Sequence, residues 1–205
     1  MNRVTSEKSS RGNSRNFLGT EPIGRLLFKM SLPATVGMLV NGLYNIVDTI
    51  FVGRAVGPLA IGGLGIAFPI QMLVFGVAFA IGNGAGSVVS RALGAQDMQR
   101  ANQTLGSAIS LAICVGVILF LISLISLEQL IILLGASQEI LPFSVEYLGI
   151  ILSGAPLIVL AVSCNQIVRA EGSAGISMFA MITGAGGNIL LDWWFILGLD
   201  MYGIQ

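Results

Sequence analysis

The sequence contains no histidine and only two cysteines among its 205 residues. Cys114 and Cys164 both lie inside apolar runs, and they do not form a CxxC motif. Because imidazole and thiolate groups are the usual protein ligands of zinc and iron, we expect neither a transition-metal site nor a disulfide. The sequence also places no serine or cysteine beside a base, so we do not expect an enzyme.

Charged residues are scarce as well. They make up only 10% of the chain, and ten basic residues balance ten acidic ones, whereas a soluble domain is about 25% charged. No cluster of lysine or arginine occurs after the first thirty residues. Nucleic acid requires a basic surface, so it is excluded as a partner.

Hydrophobic residues make up 55% of the chain, and the mean hydropathy is +0.89. A helix needs about 20 apolar residues to cross the hydrocarbon core of a bilayer. Five windows meet this condition, at about 31–53, 61–88, 104–126, 143–166 and 175–199. The sequence therefore predicts an all-α integral membrane protein, a bundle of about five transmembrane helices.

The orientation follows from the basic residues. Residues 1–29 lack an apolar core with a cleavage site, so we interpret them as a cytoplasmic tail and residues 30–205 as one transmembrane lobe. Residues 20–29 are either an amphipathic segment on the inner surface or part of a solvated tail. With the N-terminus in the cytoplasm, only Arg54 of the ten basic residues lies outside, in agreement with the positive-inside rule.

The number of predicted spans is odd. Two interpretations are possible: a whole protein with an external C-terminus, or a fragment cut before a sixth helix. We expect the fragment.

The first predicted span contains polar residues where apolar ones are expected. Asn41, Tyr44, Asn45 and Asp48 are spaced i, i+3, i+4 and i+7, which places them on one helical face. A carboxylate at the bilayer centre costs at least about 2.5 kcal/mol. No lysine or arginine occurs within any of the five windows, so the predicted spans supply no cationic partner.

The fifth predicted span repeats the pattern, because Asn188 and Asp192 are one helical turn apart. A carboxylate in a membrane can bind a proton, or it can coordinate a small cation such as Na⁺ with nearby amide and hydroxyl oxygens. We therefore predict a pocket in which Asp48 and Asp192 face each other beside Asn188 and exchange H⁺ or Na⁺. The alternative is that these acids line a wet crevice or face the edge of the bilayer.

Four stretches together resemble the multidrug and toxic compound extrusion family, the MATE transporters. They are "SLPATVGMLVNGLYNIVDTIFVG", "GAGSVVSRALGAQDMQRAN", "QIVRAEG" and "GNILLDWWFI". The resemblance implies a protein of twelve helices in two six-helix lobes, of which this chain is most of the N-terminal lobe. It also implies export of cationic or amphipathic drug-like compounds across a bacterial or archaeal plasma membrane, in exchange for H⁺ or Na⁺ and without another cofactor.

The resemblance also suggests roles for single residues. Asp48 matches the family's first-helix acid, and Asn188 and Asp192 match its fifth-helix pair, all in cation coupling. Tyr44 and Gln166 are candidate cavity or network residues, and Asn41 and Asn45 join them because they share the face of Asp48. The family's sixth-helix hydroxyl and its C-terminal lobe are absent from this chain, so the site is expected to be completed by the rest of the polypeptide and surrounded by membrane lipid.

Two other functions are compatible with parts of the sequence. A lipid-linked oligosaccharide flippase would share the helical architecture, but it would be expected to line its cavity with arginines that bind pyrophosphate. A membrane scaffold that transports nothing would explain the glycines and the spans but not the two acids.

Overall fold

The computed structural model describes residues 22–192 and residue 194. Within this part the chain forms six helices and no strand. The helices are α1 (Ile23–Ala55), α2 (Pro58–Gly94), α3 (Met98–Leu133), α4 (Leu141–Ser153), α5 (Ala155–Ala170) and α6 (Ala174–Asp192). Most of the predicted basic tail and the end of the fifth predicted span lie outside the described residues, so the predicted division into tail and lobe stays a prediction.

Five spans are consistent with this arrangement. The helices α1, α2, α3 and α6 are each long and apolar enough to cross a membrane. The shorter helices α4 and α5 meet at Gly154 with a bend of 59° and pass the same test as a pair. Pro156 lies in the first turn of α5, where its missing N–H removes a helical hydrogen bond. The predicted fold class is confirmed.

Two helix boundaries differ from the sequence prediction. α1 begins at Ile23, directly after Pro22, so the described part of the predicted surface segment is continuous with the first span. α3 continues to Leu133, beyond the predicted end at 126. No glycine or proline interrupts residues 127–134, and the helix is therefore not broken there.

Glycine in the left-handed conformation ends α3. Gly135 has φ +93°, and its N–H donates to the Ile132 carbonyl over 2.9 Å. The next N–H, of Ala136, donates to the Ile131 carbonyl over 3.3 Å. This is a Schellman motif, which satisfies the last carbonyl groups of a helix.

The helices α2, α3, α4 and α5 form the tightly packed part of the bundle, here called the four-helix unit. Small residues line its contacts: a Cβ atom added at Gly82 would lie 2.8 Å from the Ser163 carbonyl oxygen, and one at Gly116 would lie 2.4 Å from the Pro156 Cα. The Ser163 hydroxyl donates to the Ala78 carbonyl over 3.0 Å. The glycines let the helix backbones approach closely, as small residues do in membrane helices.

The remaining two helices, α1 and α6, pack mainly against each other and form the α1–α6 pair. A Cβ atom added at Gly37 would lie 3.0 Å from the Met181 sulfur and 3.8 Å from the Met178 Cα. α5 also contacts α6, where the Ser177 hydroxyl donates to Asn165 Oδ1 over 2.8 Å. The pair carries all the polar residues predicted to couple cations.

Candidate functional site

The polar face of α1 lies next to the four-helix unit. Tyr44 and Asp48 are half-buried, whereas Asn45 is exposed. The side chains of Asn41 and Asp192 lie outside the described part of the structure. Within the bundle, Asp48 and Tyr44 are close enough to the phenol of Tyr147 on α4 to interact with it electrostatically.

Tyr147 connects this face to α2. Its hydroxyl accepts a hydrogen bond of 3.0 Å from Gln71 Nε2, between residues 76 positions apart in the sequence. Gln71 and Tyr147 are both half-buried. Oxygen and nitrogen atoms from α1, α2 and α4 therefore share one region near the end of the bundle where α1 ends and α2 begins.

Sequence patterns did not single out Gln71 or Tyr147. Gln71 gives a signal that could have been used, because it is a polar residue inside the apolar window 61–88. Tyr147 gives a weaker one, since tyrosine is common at membrane interfaces. Only the packing of α4 against α2 identifies the two as partners.

The relative direction of α1 and α6 can be read from the contacts between helices. α1 and α2 form a hairpin, in which a Cβ atom added at Gly53 would lie 2.7 Å from Ile61 Cδ1. α2 runs parallel to the bent α4–α5 span, because Ser144 bonds Gly63 and Ser163 bonds Ala78. α6 reverses direction after α5, so α1 and α6 run in the same direction.

This direction sets the level of the predicted site residues. Gly37 of α1 lies beside Met178 and Met181 of α6. Moving eleven residues toward the C-terminus of both helices, about 16 Å at the helical rise, leads from Gly37 to Asp48 and from Met181 to Asp192. The backbone register is thus compatible with the predicted pocket, and the facing of the two carboxylates stays a prediction.

Asn188 lies one turn before Asp192 on α6. Its Oδ1 atom is buried, and no hydrogen-bond partner for it exists in the described part of the chain. A buried amide oxygen without a donor is an open coordination position, because burial of an unpaired polar atom costs free energy that a bound cation or donor offsets. This is the property expected of a ligand in a cation site.

Gln166 has a different environment. Its residue is only 7% exposed and its Oε1 atom is also buried without a partner among the described residues. Its Cβ atom lies in the contact between α5 and α2, where a Cβ atom added at Gly82 would approach it to 2.7 Å. The role of Gln166 as a cavity or network residue stays a prediction, and its backbone position lies within the four-helix unit.

Three comparisons with known proteins agree with this architecture. A family model described as MatE matches residues 33–194. The chain belongs to the MatE family. Members of this family are multidrug efflux transporters rather than enzymes, and the resemblance stated from the sequence motifs is confirmed.

Similar proteins cover most of the chain. The multidrug export protein MepA of Staphylococcus aureus strain MSSA476 is 31% identical over 180 residues, which are 88% of this chain and 40% of MepA. MepA of Staphylococcus saprophyticus is 31% identical over 175 residues, 85% of this chain and 39% of that protein. The chain thus spans about 40% of the length of these relatives.

Solved structures show the same fold. The MATE multidrug transporter DinF-BH, solved with a bound drug-like ligand, superposes with a TM-score of 0.84 and 41% identity over 91% of this chain and 42% of that one. A MOP superfamily transporter from Pyrococcus furiosus gives a TM-score of 0.79 and 34% identity over 85% of this chain and 38% of that one. The described helices thus correspond roughly to the N-terminal lobe of a MATE transporter, a multi-pass membrane protein.

Proposed function

We propose that this chain is part of a secondary active transporter that exports cationic or amphipathic compounds in exchange for H⁺ or Na⁺. The proposal concerns the complete polypeptide, because this chain spans about 40% of its curated relatives. The observation that carries it is the position of Asp48, a half-buried carboxylate on a membrane-spanning helix that interacts with Tyr147 of α4.

The physical basis is the cost of a charge in the membrane. An ionised carboxylate away from bulk water is stabilised when it binds a proton or coordinates Na⁺. Amide and phenol oxygens are suitable additional ligands for Na⁺, because hard cations prefer oxygen. We propose Asp48, Asn188 and Asp192 as the coupling residues, with Tyr44, Asn41, Asn45 and Gln166 as cavity or network residues.

Coupling follows if one carboxylate serves two ligands. A cationic compound and the coupling ion both bind best to the ionised form of Asp48, so each displaces the other. Moving one elementary charge across a potential of 100 mV supplies about 2.3 kcal/mol. That free energy would drive the compound outward as H⁺ or Na⁺ moves inward.

The class of exported compound is supported by the printed descriptions of similar proteins. MepA is named a multidrug export protein, and DinF-BH was solved with a drug-like ligand bound. We extend this to drug-like small molecules for the present protein, in a plasma membrane and with a cytoplasmic N-terminus. Membrane lipid and the C-terminal lobe are the other expected partners.

The test replaces Asp48 with asparagine in the complete protein. Asp48→Asn removes the ionisable group at nearly constant size, and we expect cation-driven efflux from proteoliposomes to be lost while expression stays normal. Asp97→Asn is the matched control: Asp97 lies in the turn between α2 and α3, and asparagine retains the ability to cap α3. Normal efflux by Asp48→Asn would contradict the proposal, and so would equal loss in both variants.

A further inference from the structure

A second polar region lies at the opposite end of the bundle from Asp48, in the turn between α2 and α3. A pocket of about 280 Å³ opens there, between the last turns of one helix and the first turn of the next. Its lining residues are Val88, Arg91, Ala92, Ala95, Asp97 and Arg100. Nothing in the coupling mechanism uses this pocket.

One wall of the pocket is a single face of α2. Val88, Arg91, Ala92 and Ala95 are spaced i, i+3, i+4 and i+7, so small apolar side chains surround one arginine. Arg91 Nε donates to the Ser87 carbonyl over 3.0 Å, which holds the side chain along the last turns of α2. This bond uses one of the five N–H groups of the guanidinium.

The other wall is the start of α3. Asp97 Oδ1 accepts a hydrogen bond of 2.9 Å from the backbone N–H of Arg100, so its carboxylate serves as the cap of α3. The Arg100 side chain lines the pocket from the first turn of the helix. The N-terminus of a helix carries partial positive charge, which adds to that of the arginine.

A closed turn holds the two walls together. Gln96 adopts φ +59°, and its N–H donates to the Leu93 carbonyl over 3.1 Å. The N–H of Asp97 donates to the Ala92 carbonyl over 2.9 Å. Because these bonds fix the connection between the helices, Arg91 and Arg100 are held at one pocket before any ligand arrives.

The charge around the pocket favours an anion. The end of the bundle that holds it carries Arg91, Arg100 and Arg169 together with Asp97 and Glu171, whereas the opposite end carries Arg54 together with Glu128, Glu139 and Glu146. The pocket end is therefore the more positive of the two. It also lies where two membrane-spanning helices end, at the depth of lipid headgroups.

We propose that this pocket binds the phosphate group of an anionic phospholipid, held between the guanidinium groups of Arg91 and Arg100. Arginine suits this ligand because its planar fork donates two parallel hydrogen bonds to phosphate oxygens. The apolar wall of Val88, Ala92 and Ala95 suits the glycerol and the first methylene groups of a lipid. A lipid headgroup, rather than free phosphate, is therefore the ligand that matches both walls.

A simpler role for Arg91 and Arg100 exists and makes a different prediction. Positive charge near the end of α2 stabilises its dipole, and positive charge on this side orients the chain in the membrane. Both effects need only charge, so lysine would serve as well as arginine. Phosphate binding by paired forks needs the guanidinium geometry.

The experiment measures lipid binding by native mass spectrometry of the complete protein in detergent. Phosphatidylglycerol is titrated against the wild type, Arg91→Gln/Arg100→Gln, Arg91→Lys/Arg100→Lys, and Arg54→Gln as a control at the opposite end. Phosphatidylcholine tests for headgroup charge, and inorganic phosphate is added as a competitor. Size-exclusion profiles and thermal unfolding check that each variant is folded, and the lysine variant keeps the charge that orients the chain.

We expect the glutamine variant to bind phosphatidylglycerol at least about tenfold more weakly than the wild type, because it loses charge-assisted hydrogen bonds. The lysine variant should be weakened several-fold, and Arg54→Gln should match the wild type. Equal binding by the wild type and the lysine variant would overturn the proposal. Equal affinity for phosphatidylcholine, or full displacement by inorganic phosphate at comparable concentration, would overturn the assignment to an anionic lipid.

Discussion

The four-helix unit and the α1–α6 pair solve the problem of packing in a membrane differently. In the unit, glycines bring backbones together, and serine hydroxyls donate to the carbonyl groups of neighbouring helices. In the pair, the closest glycine, Gly37, meets a flexible methionine. The polar residues predicted to couple ions lie on the pair. The difference suggests that the unit is a rigid support and that the pair is the part adapted for ligands.

The largest expected effect concerns the support. Gly116→Ala would place a methyl group 2.4 Å from the Cα of Pro156, which is backbone and cannot turn aside. We expect a loss of about 1–3 kcal/mol in the free energy of unfolding, as for other overpacked sites. Thermal unfolding of the purified protein in detergent measures it.

Gly106→Ala is the matched control for this variant. Gly106 lies on the same helix, and a Cβ atom added there meets nothing within 4 Å. Alanine at that position should be neutral or should stabilise the protein by about 0.5–1 kcal/mol. If both variants unfold at the same temperature, the four-helix unit is not held by close backbone contact.

A smaller effect is expected at the junction between the two regions. Tyr147→Phe removes the acceptor of the Gln71 hydrogen bond but keeps the ring. We expect a loss of about 0.5–1.5 kcal/mol in the free energy of unfolding, the usual net value of one hydrogen bond. Denaturant or thermal unfolding measures this loss.

A double-mutant cycle sharpens this result. Gln71→Leu should also destabilise the protein, and the double variant should lose less than the sum of the two single losses, because both remove the same hydrogen bond. Additive losses would mean that Gln71 and Tyr147 do not interact in the membrane protein.

The smallest effect is expected in the pair. Gly37→Ala brings a methyl group to 3.0 Å from the Met181 sulfur, and the flexible methionine can move. We expect the free energy of unfolding to change by no more than about 0.5 kcal/mol relative to Gly42→Ala, where the added Cβ atom has open space. A loss as large as that of Gly116→Ala would show that the pair is packed as rigidly as the four-helix unit.

Much of the candidate site could be predicted from the sequence, because its first signal is local. Asp48 stands out in an apolar window, and its spacing from Tyr44 and Asn45 places all three on one helical face. The length of α3 was predicted less well: its apolar residues continue into the segment interpreted as a loop, and hydropathy alone does not show where a helix ends. Gln71 and Tyr147 were missed because neither is unusual in its own neighbourhood.

The sequence by itself determined that this chain crosses a membrane, about how many times it does so, and which helix faces carry carboxylates. These properties depend on composition and on the helical repeat, which act over a few turns. Only the tertiary structure decided that Gln71 donates to Tyr147, which glycines lie against backbone, and that α4 and α5 meet at a bend of 59°. These depend on which helix faces meet, and the packing free energy that selects those faces comes from residues far apart in the chain.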